Sequence, residues 1–371
     1  MAEGFITKRD EENREKIERL CRDLPPYVEE FVNDSKRTYK STLTKLAYVY
    51  DIRTFLYFLP QKVAALKGVK PSQITTEQLE NLTLLDFDAY ARYLQSYRKP
   101  LYGTDDVSLV DQHAPYTKDK LCEHTGKTQN KGSGAARKII AVRQLYKFLF
   151  KHGLISKNVT ENLDVPEQSK HEIIYFTKEE IAMIKSVVRN GFNTTGKQTK
   201  FLENTRLRDI AIMSLLLGTG IRASECVGLD LDDINHHSRE IYIMRKGNKT
   251  MTLRVPLNAY EDLCAYLEER EKIVPAEGHE KAVFLSSQRK RMCTRTLQNL
   301  VKKYTQAACP HKPMAEFDHF SPHKLRASYA TNLFENTHDI EKVSQRLGHS
   351  GLSTVKRYVK YTEKDDDDVD W

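Results

Sequence analysis

The chain has 371 residues, enough for two hydrophobic cores, and carries 59 Lys and Arg against 51 Asp and Glu, a formal net charge of +8. Its final nine residues, EKDDDDVDW, hold six acids and one lysine, so the other 362 carry +13, a balance that suits a polyanionic partner such as nucleic acid although charge alone defines no site. Cys21, Cys122, Cys226, Cys264, Cys293 and Cys309 form no CxxC pair or zinc-spaced cluster, MAEGFITKRDEENREK lacks a signal peptide's apolar core, and runs such as IAIMSLLL are too short to span a bilayer, which argues against a disulfide scaffold, a zinc module and a membrane protein and leaves reduced thiols in the cytoplasm.

In chain order, residues 10 to 32 predict a helix interrupted by Pro25 and Pro26, and residues 38 to 59 carry apolar residues at helical spacing. A third helix is expected around LLDFDAYARYLQSY, and a long loop or hairpin from Lys99 to Ala135. AARKIIAVRQLYKFLFKHG is the clearest helix of this half. Ile139, Val142, Tyr146 and Leu149 share one face, and Arg143, Lys147 and Lys151 recur every fourth residue on another. That stripe is either a solvated face or a track along phosphates. NVTENLDVPEQSKHEI, residues 158 to 173, is polar, contains Pro166 and is the best linker candidate.

Beyond it, FTKEEIAMIKSVV starts a helix, RDIAIMSLLLG is strongly apolar, and a GTG turn leads into IRASECVGL. EIYIM and TMTLRVP alternate and are joined by RKGNK, a β-hairpin signal. The remainder reads as helical. The fold class is therefore mainly α with a small β-sheet.

Four stretches could carry chemistry. In TGIRASE the turn places Arg222 in the first turn of a new helix with Glu225 three residues on, either a surface ion pair or a planar fork for phosphate oxygens braced by a carboxylate. RKGNK leaves Lys246 and Lys249 projecting from a hairpin tip, where a lysine can serve solubility or donate a proton to a leaving oxygen. In SPHKLRASYAT, His323 and Arg326 lie three apart near a helix N-terminus and can face an anion together. LGHSGLSTVKRY puts His349 in a turn around Gly348 and Gly351 and Tyr358 on the next short helix. Taken together, two arginines, two histidines, a lysine and a tyrosine make a phosphate-binding, proton-transferring and nucleophilic set that calls for no metal and no cofactor.

In this order the stretches TGIRASE, RKGNK, SPHKLR, LGHS and Tyr358 resemble the signature of the tyrosine recombinase (phage integrase, Xer) family. The likeness is close over residues 175 to 361. EKIERLCRDLPPYVEEF, the long chain before the linker and NTRLRDIAIMSLLLGTGIRASECVGLDLDDI look most like the XerS-type single recombinases of Firmicutes. The resemblance implies an all-helical, SAM-like core-binding domain over 1–165, a linker over 166–174, a catalytic domain over 175–361 and an acidic tail over 362–371. It implies that Tyr358 is the nucleophile forming a 3′-phosphotyrosyl link, with Arg222 and Arg326 on the non-bridging oxygens and Lys246 as acid toward the leaving 5′-oxygen. His323 would assist the tyrosine's proton transfer, His349 would bond the phosphate and Glu225 would brace Arg222.

The implied partners are duplex DNA with paired inverted half-sites, a homotetramer on two such sites and an accessory DNA translocase of the FtsK type, in a bacterial, nucleoid-associated cytoplasmic setting with no membrane. The implied task is chromosome dimer resolution or integration and excision of a mobile element. Two rivals remain: an inactive DNA-binding relative, against which the complete residue set argues, and a type IB topoisomerase, against which the short chain argues. The family often ends in a helix that docks on a neighbouring protomer. Here only TEKDDDDVDW follows Tyr361, and a solvated, disordered tail is expected rather than a docking segment or a metal site.

Overall fold

The computed structural model describes residues 3–34, 41–97, 128–129, 132–165, 175–191, 196–245, 249–310 and 320–348. The chain divides into two compact units, Thr7–His171 and Glu172–Trp371, the latter grouped with Met1–Ile6. Among the described residues no helix is long and apolar enough to cross a membrane.

The first unit is built from α1 (Glu3–Cys21), α2 (Pro26–Asn33), α3 (Thr42–Lys62), α4 (Thr76–Glu80), α5 (Leu84–Gln95) and α6 (Gly132–Lys151). The expected break falls between α1 and α2, where Pro25 is extended and Pro26 opens the new helix without needing an N–H. Short α4 is absent from the sequence reading. It is fixed by a reciprocal cap in which the Gln78 N–H donates to the Thr75 hydroxyl and the Thr75 N–H to the Gln78 side chain. The loop or hairpin expected from Lys99 to Ala135 lies mostly outside the described residues: β1 (Ser96–Tyr97), just before it, pairs antiparallel with β2 (Thr128–Gln129), and its end is corrected, since α6 already starts at Gly132. α6 buries Ile139, Val142, Tyr146 and Leu149 as their spacing requires, against α3 and α5. The Tyr146 ring meets Phe87 edge-on at 5.5 Å and its hydroxyl donates to the Leu79 carbonyl at 2.9 Å, satisfying the one polar atom it buries. The proposed linker is partly corrected: Thr160 and Leu163 are buried, so 158–165 packs into this core, while 166–174 lie outside the described residues.

The second unit holds α7 (Lys178–Asn190), α8 (Gly196–Thr219), α9 (Ala223–Gly228), β3 (Ile234–Asn235), β4 (Glu240–Arg245), β5 (Lys249–Arg254), α10 (Leu257–Glu271), α11 (Thr294–Ala308), α12 (Pro322–Thr337) and α13 (Ile340–Leu347). α8 is the hub, packing on α7, α10 and α12. The hairpin forms as its alternation predicts, Ile241 opposite Leu253 and Ile243 opposite Met251, and β3 adds a third antiparallel strand too short to show a sequence period. Alternation buries Ile241, Ile243 and Arg245 on one face of β4. The result is the expected mainly helical architecture with a small sheet.

Candidate active site

The site grows from the end of α8. Thr219 and Gly220 break the helix, and Gly220 turns the chain at φ +63°, a left-handed conformation that suits glycine. Arg222 is consequently the N-cap of α9, one position earlier than a first-turn residue. Glu225, three residues on, closes on it twice: the Arg222 backbone N–H donates to Oε2 at 2.9 Å and the guanidinium Nη1 donates to Oε1 at 2.7 Å. The Glu225 side chain is 5% exposed and that of Arg222 32%, so the carboxylate is a buried brace and the guanidinium still meets solvent. An ordinary surface ion pair would expose both partners.

α12 begins at Ser321 and Pro322, as expected, and places His323 and Arg326 one turn apart. They do not lie in the same environment. His323 is exposed, whereas Arg326 is 4% exposed. Arg326 Nη1 donates to the Gly220 carbonyl at 2.5 Å and Nη2 to the Leu347 carbonyl at 2.5 Å. One arginine thereby ties the turn that precedes Arg222 to the last residue of α13. Gly348 caps that helix at φ +58°. Lys246, His349 and Tyr358 lie outside the described residues.

A residue not singled out in the sequence reading joins this group. Arg245 ends β4, donates through Nη1 to the same Leu347 carbonyl, and holds Nε 3.7 Å from Glu225 Oε1. Burial lowers its pKa and Arg222 adds to this, while Glu225 opposes both. The signal that could have found it is the inward period of Ile241 and Ile243, which carries Arg245 to the buried face. The cluster therefore holds two guanidinium groups, Arg222 and Arg245, on the Glu225 carboxylate and joins a third, Arg326, through the Leu347 carbonyl that Arg245 shares, a local excess of positive charge suited to a phosphodiester and to the charge that grows on its oxygens.

The DNA-track candidates fall on α6 of the first unit. Lys147 and Lys151 are exposed, and Arg143 is partly covered, with Nη2 donating to the Glu161 carbonyl at 3.4 Å.

Residues 176–365 match the phage integrase family. The tyrosine recombinase XerC of Caldanaerobacter subterraneus subsp. tengcongensis is 31% identical over 340 residues, covering 90% of this chain and 83% of that protein. The tyrosine recombinase XerS of Streptococcus agalactiae is 29% identical over 367 residues, covering 93% and 94%. Among solved structures, the Tn1549 transposon integrase in complex with transposon right end DNA shares the fold at a TM-score of 0.58 and 14% identity, covering 91% of this chain and 94% of that one. With a family match over more than half its length and Xer relatives along nearly all of it, the chain belongs to the phage integrase family and is a site-specific recombinase of the tyrosine class.

Proposed function

We propose that this recombinase acts on duplex DNA through the six residues Arg222, Lys246, His323, Arg326, His349 and Tyr358. The observation that carries the reading is the Arg222–Glu225 pair held beside buried Arg326 through the Gly220 carbonyl, a braced cationic cluster built from two distant segments. In the proposed reaction the Tyr358 oxygen attacks the scissile phosphorus and the bond to the 5′-oxygen breaks. This leaves a 3′-phosphotyrosyl link and a 5′-hydroxyl. The tyrosine's proton passes toward His323, and Lys246 supplies the proton that the 5′-oxygen takes up. Arg222 and Arg326 hold the non-bridging oxygens, with His349 as a further donor, and Glu225 braces Arg222. A phenol with an ordinary pKa near 10 needs the surrounding positive charge to become a nucleophile. The ester link conserves the energy of the broken bond, so a 5′-hydroxyl of the partner strand can reverse the step without ATP.

In this reading the first unit serves core binding and the second catalysis, with four protomers on two sites made of inverted half-sites. The DNA held by the Tn1549 integrase supports the choice of substrate. The proposed setting is the bacterial cytoplasm, at the nucleoid. Two tasks fit such a recombinase: chromosome dimer resolution, with a translocase of the FtsK type as accessory, and integration or excision of a mobile element.

The test is Tyr358→Phe with a nicked suicide substrate that traps the covalent adduct. Wild type should accumulate a protein–DNA band and the variant none, while DNA binding stays nearly intact. An adduct formed by the phenylalanine variant would transfer the nucleophile to Tyr361 and overturn the assignment.

A further inference from the structure

Arg245 is 9% exposed, and its surroundings are unusual for a buried cation. The Nη1 atom donates to the Leu347 carbonyl, and a Cβ added at Gly348 would overlap that nitrogen, so the guanidinium lies directly on the Leu347–Gly348 backbone. The same carbonyl takes Arg326 Nη2 at 2.5 Å. On its other side, Nε stands 3.7 Å from Glu225 Oε1, the oxygen that already takes Arg222 Nη1 at 2.7 Å. Arg245 thus reaches both acceptors: the carboxylate that braces Arg222 and the carbonyl that anchors Arg326.

Packing alone does not explain it. Among the described residues, the buried Nε and Nη2 of Arg245 find no hydrogen-bond partner. Stability would favour an apolar residue continuing the Ile241 and Ile243 series, since well-packed hydrophobes often replace buried charges without loss. What a cation supplies is electrostatic. With Arg222 as its only counter-charge, Glu225 would oppose the approach of a phosphate. Sharing the carboxylate with a second guanidinium leaves a net positive charge where the anion must bind. A closure of about 0.5 Å would bring Nε into hydrogen-bonding range of Glu225 and hold the carboxylate while Arg222 engages phosphate.

We propose that Arg245 is a positioning residue for phosphate activation, holding Glu225 and Leu347 so that Arg222 and Arg326 meet the non-bridging oxygens together. The proposal rests on the reading that these two arginines bind the scissile phosphate.

The experiment compares single-turnover cleavage of two suicide substrates by the full chain at saturating DNA. One carries the normal scissile phosphodiester. The other carries a methylphosphonate there, in which a methyl group replaces one charged oxygen and little negative charge remains for arginines to neutralise. Arg245→Met keeps an unbranched apolar stem and is expected to retain the wild-type unfolding midpoint and DNA affinity. Its cleavage of the phosphodiester should fall about 100-fold, the scale on which small misplacements act. On the methylphosphonate the loss should shrink to a few-fold, in parallel with Arg326→Ala. Arg245→Lys, which keeps the charge without the fork, should recover part of the rate and serves the same comparison if the methionine variant fails to fold. A wild-type rate for Arg245→Met, or an equal loss on both substrates while Arg326→Ala is rescued, would overturn the proposal and leave the phosphate-binding reading standing. Failure of the methylphosphonate to rescue Arg326→Ala would overturn that reading and the proposal with it.

Discussion

Arg326 donates to the Gly220 carbonyl at 2.5 Å, so the HxxR helix and the turn before Arg222 are joined across 106 residues of sequence. The carbonyl can face Arg326 because Gly220 turns the chain in the left-handed region, and the Tyr329 ring of the same helix packs directly over its Cα side. A Cβ at Gly220 would lie 2.5 Å from Tyr329 Cδ1.

Gly220→Ala should therefore lose about 1–2 kcal/mol through the backbone alone, with about 1–3 kcal/mol more from displacing the ring. Because Tyr329 follows Arg326 by less than one turn, cleavage should fall as well. Gly218→Ala is the control: it lies in α8, where an added Cβ would meet Ala259 and Pro256 at an ordinary 3.4 Å, and should be near neutral. Urea unfolding of both variants decides. Equal losses would refute the local explanation.

Much of this was legible in the sequence, for definite reasons. The face of α6, the alternation of β4 and β5 and the proline break before α2 are periodic or punctuated signals, and each formed where its pattern put it. Arg222 with Glu225 was legible as a pair because three residues span one helical turn. Arg245 was not, because its partners Glu225 and Leu347 are long-range contacts that no local spacing encodes. Nor was the difference between exposed His323 and buried Arg326, since residues three apart share a face only approximately and neighbouring elements decide which is covered. The segment 158–165 reads as linker by composition, yet Leu163 finds a core to join.

Asp209 tests the frame behind the site. It is 1% exposed on α8, and its Oδ1 accepts from Arg208 Nε at 3.1 Å and Nη2 at 2.8 Å. Oδ2 accepts from the Tyr304 hydroxyl at 3.0 Å and from Lys303 Nζ at 3.3 Å, which locks α8 to α11. Burial, reinforced by the Asp209 charge, pushes the Tyr304 phenol well above its ordinary pKa. Asp209→Ala strands these donors and should cost about 3–5 kcal/mol, the usual result of removing one partner of a buried ion pair. Denaturant unfolding would measure it, and a loss below 1 kcal/mol would mean that water replaces the carboxylate.

Glu80 gives the first unit a sign-defined pH dependence. Its Oε1 accepts from the Ser156 hydroxyl, from the Ser156 N–H at 2.9 Å and from the Lys157 N–H at 3.1 Å, pinning α4 to the chain after α6. These bonds, the Ser156 hydroxyl first, hold its pKa below the ordinary glutamate value. A carboxylate depressed in the folded state stabilises fully above its unfolded pKa and loses that stabilisation as pH falls through the folded value. Glu80→Gln should thus melt below wild type at neutral pH, and the gap should close as both are taken into acid. Melting curves across that range check it. A gap independent of pH would assign the effect to packing.

The stripe on α6 tests how the first unit grips its substrate. Ile139, Val142, Tyr146 and Leu149 are buried on the opposite side, so Lys147 and Lys151 project from the unit's surface, while Arg143 is partly committed to the Glu161 carbonyl. Each lysine or arginine that touches a phosphate releases condensed counterions and adds about 0.9 to the slope of log affinity against log salt. Replacing all three with glutamine should weaken binding to every DNA sequence and flatten the slope by up to about 3, without changing the preferred site, because phosphate contacts carry no base information. If Arg143 stays on Glu161 when DNA binds, the change should be nearer 2, contributed by the two lysines. Adduct formation at saturating DNA should persist, since none of the three belongs to the cationic cluster around Glu225. Fluorescence anisotropy over a salt series measures the slope. An unchanged slope would make the stripe a solvated face and require another surface of the first unit to hold the duplex.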